Sequence, residues 1–363
     1  MSVSPGPLGN VRIIEFAGIG PAPFASMLLG DMGAEIIRID RPGGADPWTK
    51  GVIRRGRRTL VLDLKNPAHH AGITRLLAKA DGLIEGFRPG VMERLGLGPE
   101  AVHAINPRLT YARMSGWGQS GPLAQSAGHD ITYIAITGAL AAIGPARQPT
   151  PPLNLVGDMG GGALYLAMGL IAGVLEARAT GTGRVVDCAI SDCTASLMAM
   201  TADLAAQGRW QMAREQNLLD GGAPFYRSYP CADGKFIAVG ALETAFFRQF
   251  CALLGLDPIP PEEERLNPAQ WPMLQARIGA LFLTKPRDDW AGIFEGTDAC
   301  VAPVLTLDEA PHHPHNQFRG AFLAMDEVMQ PAPAPRFSGS EAVPPALQPD
   351  FETLDAALAA WDA

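Results

Sequence analysis

The chain has 363 residues, 47% of them hydrophobic and 18% charged, with 41 glycines and 32 prolines in no fixed period. This composition excludes wholesale disorder, which needs low hydrophobicity and high charge, and excludes a collagen-like repeat. A formal net charge of −8 argues against a protein that neutralises nucleic-acid phosphates, and at roughly 150 residues per domain the length suggests two domains.

The first part of the chain alternates short apolar runs with helical patterns, the signature of a parallel sheet covered by helices. Val11–Phe16 (VRIIEF) reads as a strand, followed by the turn AGIGPAP and a helix from about Ala22 to Met32. Glu35–Ile39 and Thr59–Leu64 read as the next strands, then a helix through about Ala78, then strands at Gly82–Glu85 and Leu109–Met114. In open sheets of this kind the carboxyl ends of the strands line the ligand crevice. Ile131–Ile143 and Gly161–Arg178 read as helices, Gly183–Ala189 as a strand, and Thr194–Gln207 as a helix bridging to a second domain that begins near Ala223. There Phe225–Pro230 and Lys235–Val239 flank CADG, an Asp-Gly turn, and together predict a hairpin. Helices at Thr244–Leu254, Trp271–Leu283 and Asp288–Phe294 complete an α+β unit, QPAPAPRFSG (330–339) is a Pro-rich strap, and Asp350–Trp361 reads as a terminal helix.

Five cysteines without a CxxC pair predict neither a disulfide framework nor a zinc site. The N-terminal residues have no basic n-region and no apolar h-region, so no signal peptide is expected. The longest uncharged run, Met159–Leu175, falls short of the ~20 residues of a membrane span and reads as a buried helix. The terminal AAWDA is not a peroxisomal tripeptide, and a cytoplasmic location without membrane or nucleic-acid partners is expected.

The Gly18–Ile19–Gly20 turn, with Asp40 after the next strand, invites a dinucleotide-binding reading. It fails because Pro23 stands at the third glycine position and Pro21 stiffens the turn. Arg54, Arg55, Arg57 and Arg58, with Arg38, Arg41 and Arg88 near other strand ends, form the one dense basic region. They read either as a solvated loop or as a phosphate clamp, since guanidinium forks match phosphate oxygens; for Arg88 a local ion pair with Glu85 is a third reading. His312, His313 and His315 fall in a proline-broken turn with no further ligands beside them, and no metal is expected.

Three positions carry reactive side chains next to helix starts: His129 in GHD, Asp158 in VGDMGGG and Glu243 in GALE. Each alone reads equally well as a capping or first-turn residue. The glycines Gly160–Gly162 change the weighing, because each costs ~1 kcal/mol relative to alanine inside a helix. They suggest a close backbone approach, with free N–H groups at a helix N-terminus placed to receive an oxyanion.

The segments AGIGPAPFASMLLGDMGAEIIRIDRPGG, LIEGFRPGVMERLGLGP, YARMSGWGQSGP, AGHDITY, PPLNLVGDMGGGALYLAMG, LDGGAPFYRSYPCADGKFIAVGALE, DACVAPVL and PAPRFS resemble the family III CoA-transferase superfamily, and within it the branch of α-methylacyl-CoA racemases. Ala22, where glycine is common in the family, is one departure. The resemblance implies an α/β fold: a Rossmann-like large domain (1–190) completed by the C-terminal tail (331–363), a linker helix (191–224), a small α+β domain (225–315) and a return linker (316–330). It further implies an interlocked, ring-shaped homodimer in which the partner's small domain closes each site.

Carried over residue by residue, the resemblance assigns catalysis to His129, Asp158 and Glu243. It assigns CoA contacts to Arg38, to Leu62, Asp63, Leu64 and Lys65, to Glu85, Gly86 and Arg88, and to Gly128, Asp130 and Tyr133. Transferases of the superfamily use the equivalent of Asp158 as an acyl-anhydride nucleophile and usually carry Tyr or Phe at the position of His129. A histidine there supplies the second base that inversion at C2 of a 2-methylacyl-CoA requires. The expected reaction is therefore (2R)/(2S) epimerisation through an enolate, with coenzyme A as part of the substrate and no separate cofactor. A transferase, and a silent acyl-CoA-binding protein, are the competing readings.

Overall fold

Strand β1 (Arg12–Phe16) and its neighbours β2 (Glu35–Asp40), β3 (Arg57–Val61), β4 (Gly82–Glu85), β5 (Thr110–Ser115) and β6 (Val185–Ala189) build a parallel sheet in the order β3-β2-β1-β4-β5-β6. The computed structural model describes residues 6–44, 51–325, 327–338, 345 and 349–362. Gly339 of the Pro-rich strap and the first five residues, read above for a leader, lie outside the described residues. The chain divides into two units, one drawn from Met1–Ala139, Pro152–Met198 and His315–Ala363, the other from Leu140–Pro151 and Ala199–Pro314.

Alternate residues of each strand in the first unit feed opposite cores, as a sheet covered on both faces demands. Ile14, Ile37, Leu60, Leu83 and Tyr111 pack with Ile73 and Leu76 of the helix Pro67–Leu77 and with Leu358 and Trp361 of the terminal helix Leu354–Asp362. Ile13, Ile36, Ile84 and Ala112 pack on the other face with Leu29 of the helix Pro21–Asp31 and with Leu166, Leu170 and Val174 of the helix Leu155–Thr180. Phe351 covers the edge of β3: its N–H donates to the Thr59 carbonyl at 2.9 Å, and the Arg58 guanidinium lies 3.5 Å from its ring centroid.

In the second unit β7 (Tyr226–Pro230), β8 (Phe236–Gly240) and β9 (Val301–Pro303) form an antiparallel sheet. Its core is aromatic, with Phe225, Phe247, Phe250, Phe282, Trp290 and Phe294 buried together. The CADG turn closes the hairpin as its Asp-Gly pair predicts, with Gly234 at φ 76°. Arg214 attaches Leu140–Pro151 to this unit by donating to the carbonyls of Ala141, Pro145 and Ala146 at 2.9, 2.9 and 3.0 Å.

Several elements differ from the sequence reading. β3 spans 57–61 rather than 59–64, because Arg57 pairs in register with Ile36. The expected helix Ile131–Ile143 is two short helices, Asp130–Ala135 and Ala139–Ala142, interrupted at Gly138, whose φ of 87° no helix tolerates. The stretch Thr194–Gln207 is likewise divided, into Ile190–Leu197 and Ala199–Ala206. β9 and the hairpin β10 (Phe322–Met325)–β11 (Val328–Pro331) are too short to stand out as apolar alternation.

The helix taken to begin at Gly161 begins at Leu155 and runs 26 residues, with a π-helical first part, Leu155–Leu164. By length and composition it could cross a bilayer, which the shorter apolar run in the sequence could not. Here one side of it is the core of the first unit.

The sheet also buries charge. Glu15 on β1 is 0% exposed and receives Arg57 Nη1 at 2.8 and 2.9 Å and Arg38 Nη1 at 3.1 Å. Breaking a buried pair by deleting one partner typically costs ~3–5 kcal/mol, because it leaves uncompensated charge. Glu15→Ala should lower folding stability by about that amount, more than Glu15→Gln, which keeps an acceptor; urea denaturation followed by circular dichroism measures both.

Candidate active site

In this strand order the topology switches between β1 and β4, so the loops leaving the carboxyl ends of those strands flank a crevice. The loop after β1 ends at Gly20, whose φ of 75° is a left-handed geometry that favours glycine. A Cβ there would lie 3.4 Å from Asp158 Oδ2, so this backbone runs along the carboxylate.

After β4 the chain turns sharply. Glu85 is buried, accepts the Phe87 N–H at 2.7 Å and Arg113 Nε at 2.8 Å, and Arg113 reaches on to Glu93 at 2.7 Å. Burial pushes the Glu85 carboxyl above its ordinary value, against the pull of these donors. Glu85 is thus spoken for by Arg113, not by Arg88 as a local ion pair supposed, and Gly86 and Arg88 are exposed beyond it.

Beyond β5, Gly116 lacks a side chain because Tyr133 occupies the space; a Cβ there would meet the Tyr133 ring at 2.1 Å. Tyr133 packs edge-on against Trp117 at 4.8 Å and donates its hydroxyl to the Gly128 carbonyl. His129 is the N-cap residue of the helix Asp130–Ala135. Its N–H donates to Thr132 Oγ1 at 3.0 Å and its carbonyl accepts from that hydroxyl at 2.7 Å, which leaves the imidazole exposed.

Asp158 lies in the first turn of the long helix, and its N–H donates to Asp130 Oδ1 at 2.6 Å. The Asp158 carboxyl is raised above the usual carboxylate range, first by burial and next by the charge of Asp130, while Asn154 and His129 pull it down. The Tyr133 hydroxyl is raised by burial and by Asp158, with Arg88 opposing. His129, Asp130, Tyr133, Asp158 and Arg88 therefore share one electrostatic neighbourhood. It holds a half-buried carboxyl poised upward from its ordinary value, an exposed imidazole, and an exposed guanidinium.

Arg38 is 2% exposed, held by Glu15 and, at 3.6 Å, by Asp40. Leu62 is buried, while Asp63 accepts the Lys65 N–H at 3.0 Å in an exposed turn before the helix Pro67–Leu77. Glu243 belongs to the second unit, where it caps the helix Thr244–Leu254 without a side-chain hydrogen bond to it.

Two expectations are corrected here. The basic run is neither a solvated loop nor an open clamp: Arg55 grips Asp31 at 2.7 Å and Gln330 at 2.9 Å, Arg57 is consumed by Glu15, and Arg54 pairs with Asp350. Gly160–Gly162, in turn, lie inside the helix and not at its N-terminus, so they do not present free N–H groups to an oxyanion. Their smallness serves packing. A Cβ on Gly161 would reach Thr194 Oγ1 at 2.4 Å, and one on Gly162 would reach Pro21 Cβ at 3.0 Å.

Asn154, Gly116 and Trp117 contribute to the site without having been picked out from sequence, and Gly20 stood out only within the dinucleotide-like turn that failed. Asn154 precedes Asp158 by one helical turn, a relation that shows only once the helix is known to start at Leu155.

Residues 8–352 match the sequence profile of CoA-transferase family III. Alpha-methylacyl-CoA racemase of Mus musculus is 44% identical over 93% of this chain and 88% of its own length. The Homo sapiens protein of that name is 43% identical over the same shares. Succinyl-CoA:glutarate CoA-transferase of Homo sapiens is 28% identical over 94% of this chain and 83% of its own. The crystal structure of a CAIB/BAIF family protein from Brucella suis superposes with a TM-score of 0.81 over 98% of this chain and 100% of that one, at 24% identity, and shares the fold.

Proposed function

The chain belongs to CoA-transferase family III, and we propose that within it the protein is an α-methylacyl-CoA racemase, interconverting (2R)- and (2S)-2-methylacyl-CoA thioesters. Identity above 40% across nearly the whole chain to two proteins of that name supports the reading. The observation that carries it chemically is the exposed His129 imidazole within the electrostatic reach of the Asp158 carboxyl. Inversion at C2 needs a proton acceptor on one face and a proton donor on the other, and a carboxylate with an imidazole provides both.

One base takes the C2 proton as the C2–H electron pair moves into the thioester, forming an enolate; the conjugate acid of the other delivers a proton to the opposite face. A carboxyl raised toward the operating pH suits Asp158 to both directions of the reaction. Glu243 is assigned as the third catalytic residue. Proton transfer between two side chains calls for no metal, flavin or pyridoxal, and coenzyme A enters only as part of the substrate. Arg88 holds CoA phosphates away from C2, with Arg38, Leu62–Lys65, Glu85, Gly86, Gly128, Asp130 and Tyr133 shaping the surrounding wall. A reducing cytoplasm suits five free cysteines.

We also assign the functional form as a homodimer. Leu164, Met168 and Leu175 line one side of the long helix at 53, 60 and 64% exposure, an apolar stripe of the kind that marks an interface. Met168→Glu should shift the sedimentation velocity profile from dimer to monomer; an unchanged monomeric profile for the wild type would remove the assignment.

Arg88→Ala should raise KM more than it lowers kcat, because a phosphate contact remote from C2 contributes nearly uniform binding; steady-state kinetics at low and high salt check this. The decisive test of the reaction is proton NMR in deuterium oxide, started from each pure epimer. Asp158→Ala should lose C2 exchange from one epimer and keep slow exchange without inversion from the other, and His129→Ala the reverse. Equal loss from both epimers in both variants sinks the two-base reading. Hydroxylamine trapping of an acyl group on Asp158 during wild-type turnover instead establishes the transferase reading.

A further inference from the structure

We infer that the buried carboxylate of Asp130 is a positioning residue for Asp158, holding the peptide that carries it by accepting the Asp158 N–H. The inference rests on the assignment of Asp158 as a base at C2.

Three observations converge. The Asp158 N–H meets Asp130 Oδ1 at 2.6 Å, the hydrogen bond between the two segments, and the same oxygen lies against the Gly157 backbone. Asp130 is 9% exposed, at the first position of the helix that His129 caps, so one short helix presents both the imidazole and this grip. Position 157 also admits no side chain: a Cβ there would stand 2.3 Å from Asp130 Oδ1, so the glycine is what lets the carboxylate reach the backbone. First-turn N–H groups have no partner within their own helix, and in many helices a capping side chain from the preceding residue supplies one. Here Asn154 makes no such cap bond, and the acceptor arrives from 28 residues away. The Asp158 N–H is occupied, which excludes it as an oxyanion donor and gives it the task of fixing the first turn.

The same contact sets a charge beside the base. The helix Asp130–Ala135 brings Asp130, Tyr133 and the capping His129; the helix Pro21–Asp31 brings Asp31, bound to Arg55; Ile190–Leu197 brings Asp192 and Cys193; and β5 brings Arg113, bound to Glu85 and Glu93. Of these, Asp130 raises the Asp158 carboxyl and His129 lowers it. Removing the Asp130 charge therefore lowers the Asp158 pKa. For the epimer whose proton Asp158 abstracts, the ascending acid limb of kcat/KM, which reports deprotonation of Asp158, moves to lower pH.

The test compares Asp130→Asn, which keeps an oxygen acceptor and loses the charge, with Asp130→Ala, which loses both. Deuterium exchange at C2 from each epimer is read across pH, and backbone amide exchange of the peptide covering 155–160 is read by mass spectrometry. Asp130→Ala should lose ~10²-fold in C2 exchange from the epimer served by Asp158, the scale of a small misplacement of a catalytic group. Protection of the 158 amide should fall with it. Asp130→Asn should recover most of the rate and the protection, with its acid limb shifted to lower pH.

A melting temperature within a few degrees of wild type separates these losses from unfolding. An unprotected 158 amide in the wild type, or an Asp130→Ala variant that keeps wild-type protection, overturns the inference whatever the activity. Protection that follows this pattern in an enzyme with no C2 exchange from either epimer leaves the grip standing and removes the racemase reading.

Discussion

The site is organised by how closely one helix lies against its neighbours. The segment Leu155–Leu164 carries Asp158 and touches the helices that begin at Pro21, Asp130 and Ile190. At Gly157, Gly161 and Gly162 the absence of a side chain allows Asp130 Oδ1, Thr194 Oγ1 and Pro21 Cβ to come as near as they do. Close-packed interiors transmit such constraints rigidly. A methyl group at any of these positions would move Asp158 relative to His129 and Tyr133. The π-helical winding of the segment belongs to the same description, since such widened turns concentrate where a helix must present a functional residue.

Beneath this layer the sheet supplies buried charge, with Glu15 and Glu85 near the carboxyl ends of β1 and β4 and Arg57 reaching in from the start of β3. Glu15 sits opposite Arg38 in register and binds Arg57 from the second strand over, and Glu85 sits opposite Arg113. Burying charge costs several kcal/mol per ion unless each finds a good partner, and the pairings provide one for each carboxylate. These pairs fix the direction in which the loops after β1 and β4 leave the sheet. Glu85 does so directly, by holding the Phe87 N–H and leaving Arg88 free to face outward.

The carboxyl-terminal segment is part of the first unit rather than an appendage. Phe351, Leu358 and Trp361 complete one core, Asp350 accepts the Thr59 N–H at 2.8 Å, and Arg55 ties Asp31 to Gln330 and Pro331. An edge strand left open would be a template for unwanted pairing, and here the returning chain covers β3. Three arginines of the run that read as a basic patch, Arg54, Arg55 and Arg58, are the fasteners of that return.

Much of this was legible before any coordinates. The alternation of apolar runs and helices announced a parallel α/β sheet, the Asp-Gly turn announced the β7–β8 hairpin, and GHD and VGDMGGG singled out His129 and Asp158. These features are local, written within one turn or one strand by backbone preference and hydrophobic period. What the sequence left open was which charges are free and which are consumed. Arg57 and Glu15 lie 42 residues apart, Asp158 and Asp130 28 apart, and Arg55 and Gln330 275 apart. Nothing in a local pattern distinguishes a guanidinium that will be buried against a carboxylate from one that will face solvent. The glycine run shows the same limit: it announced that a close approach was needed, and only the packed helices decided that the groups approaching Gly161 and Gly162 were Thr194 and Pro21.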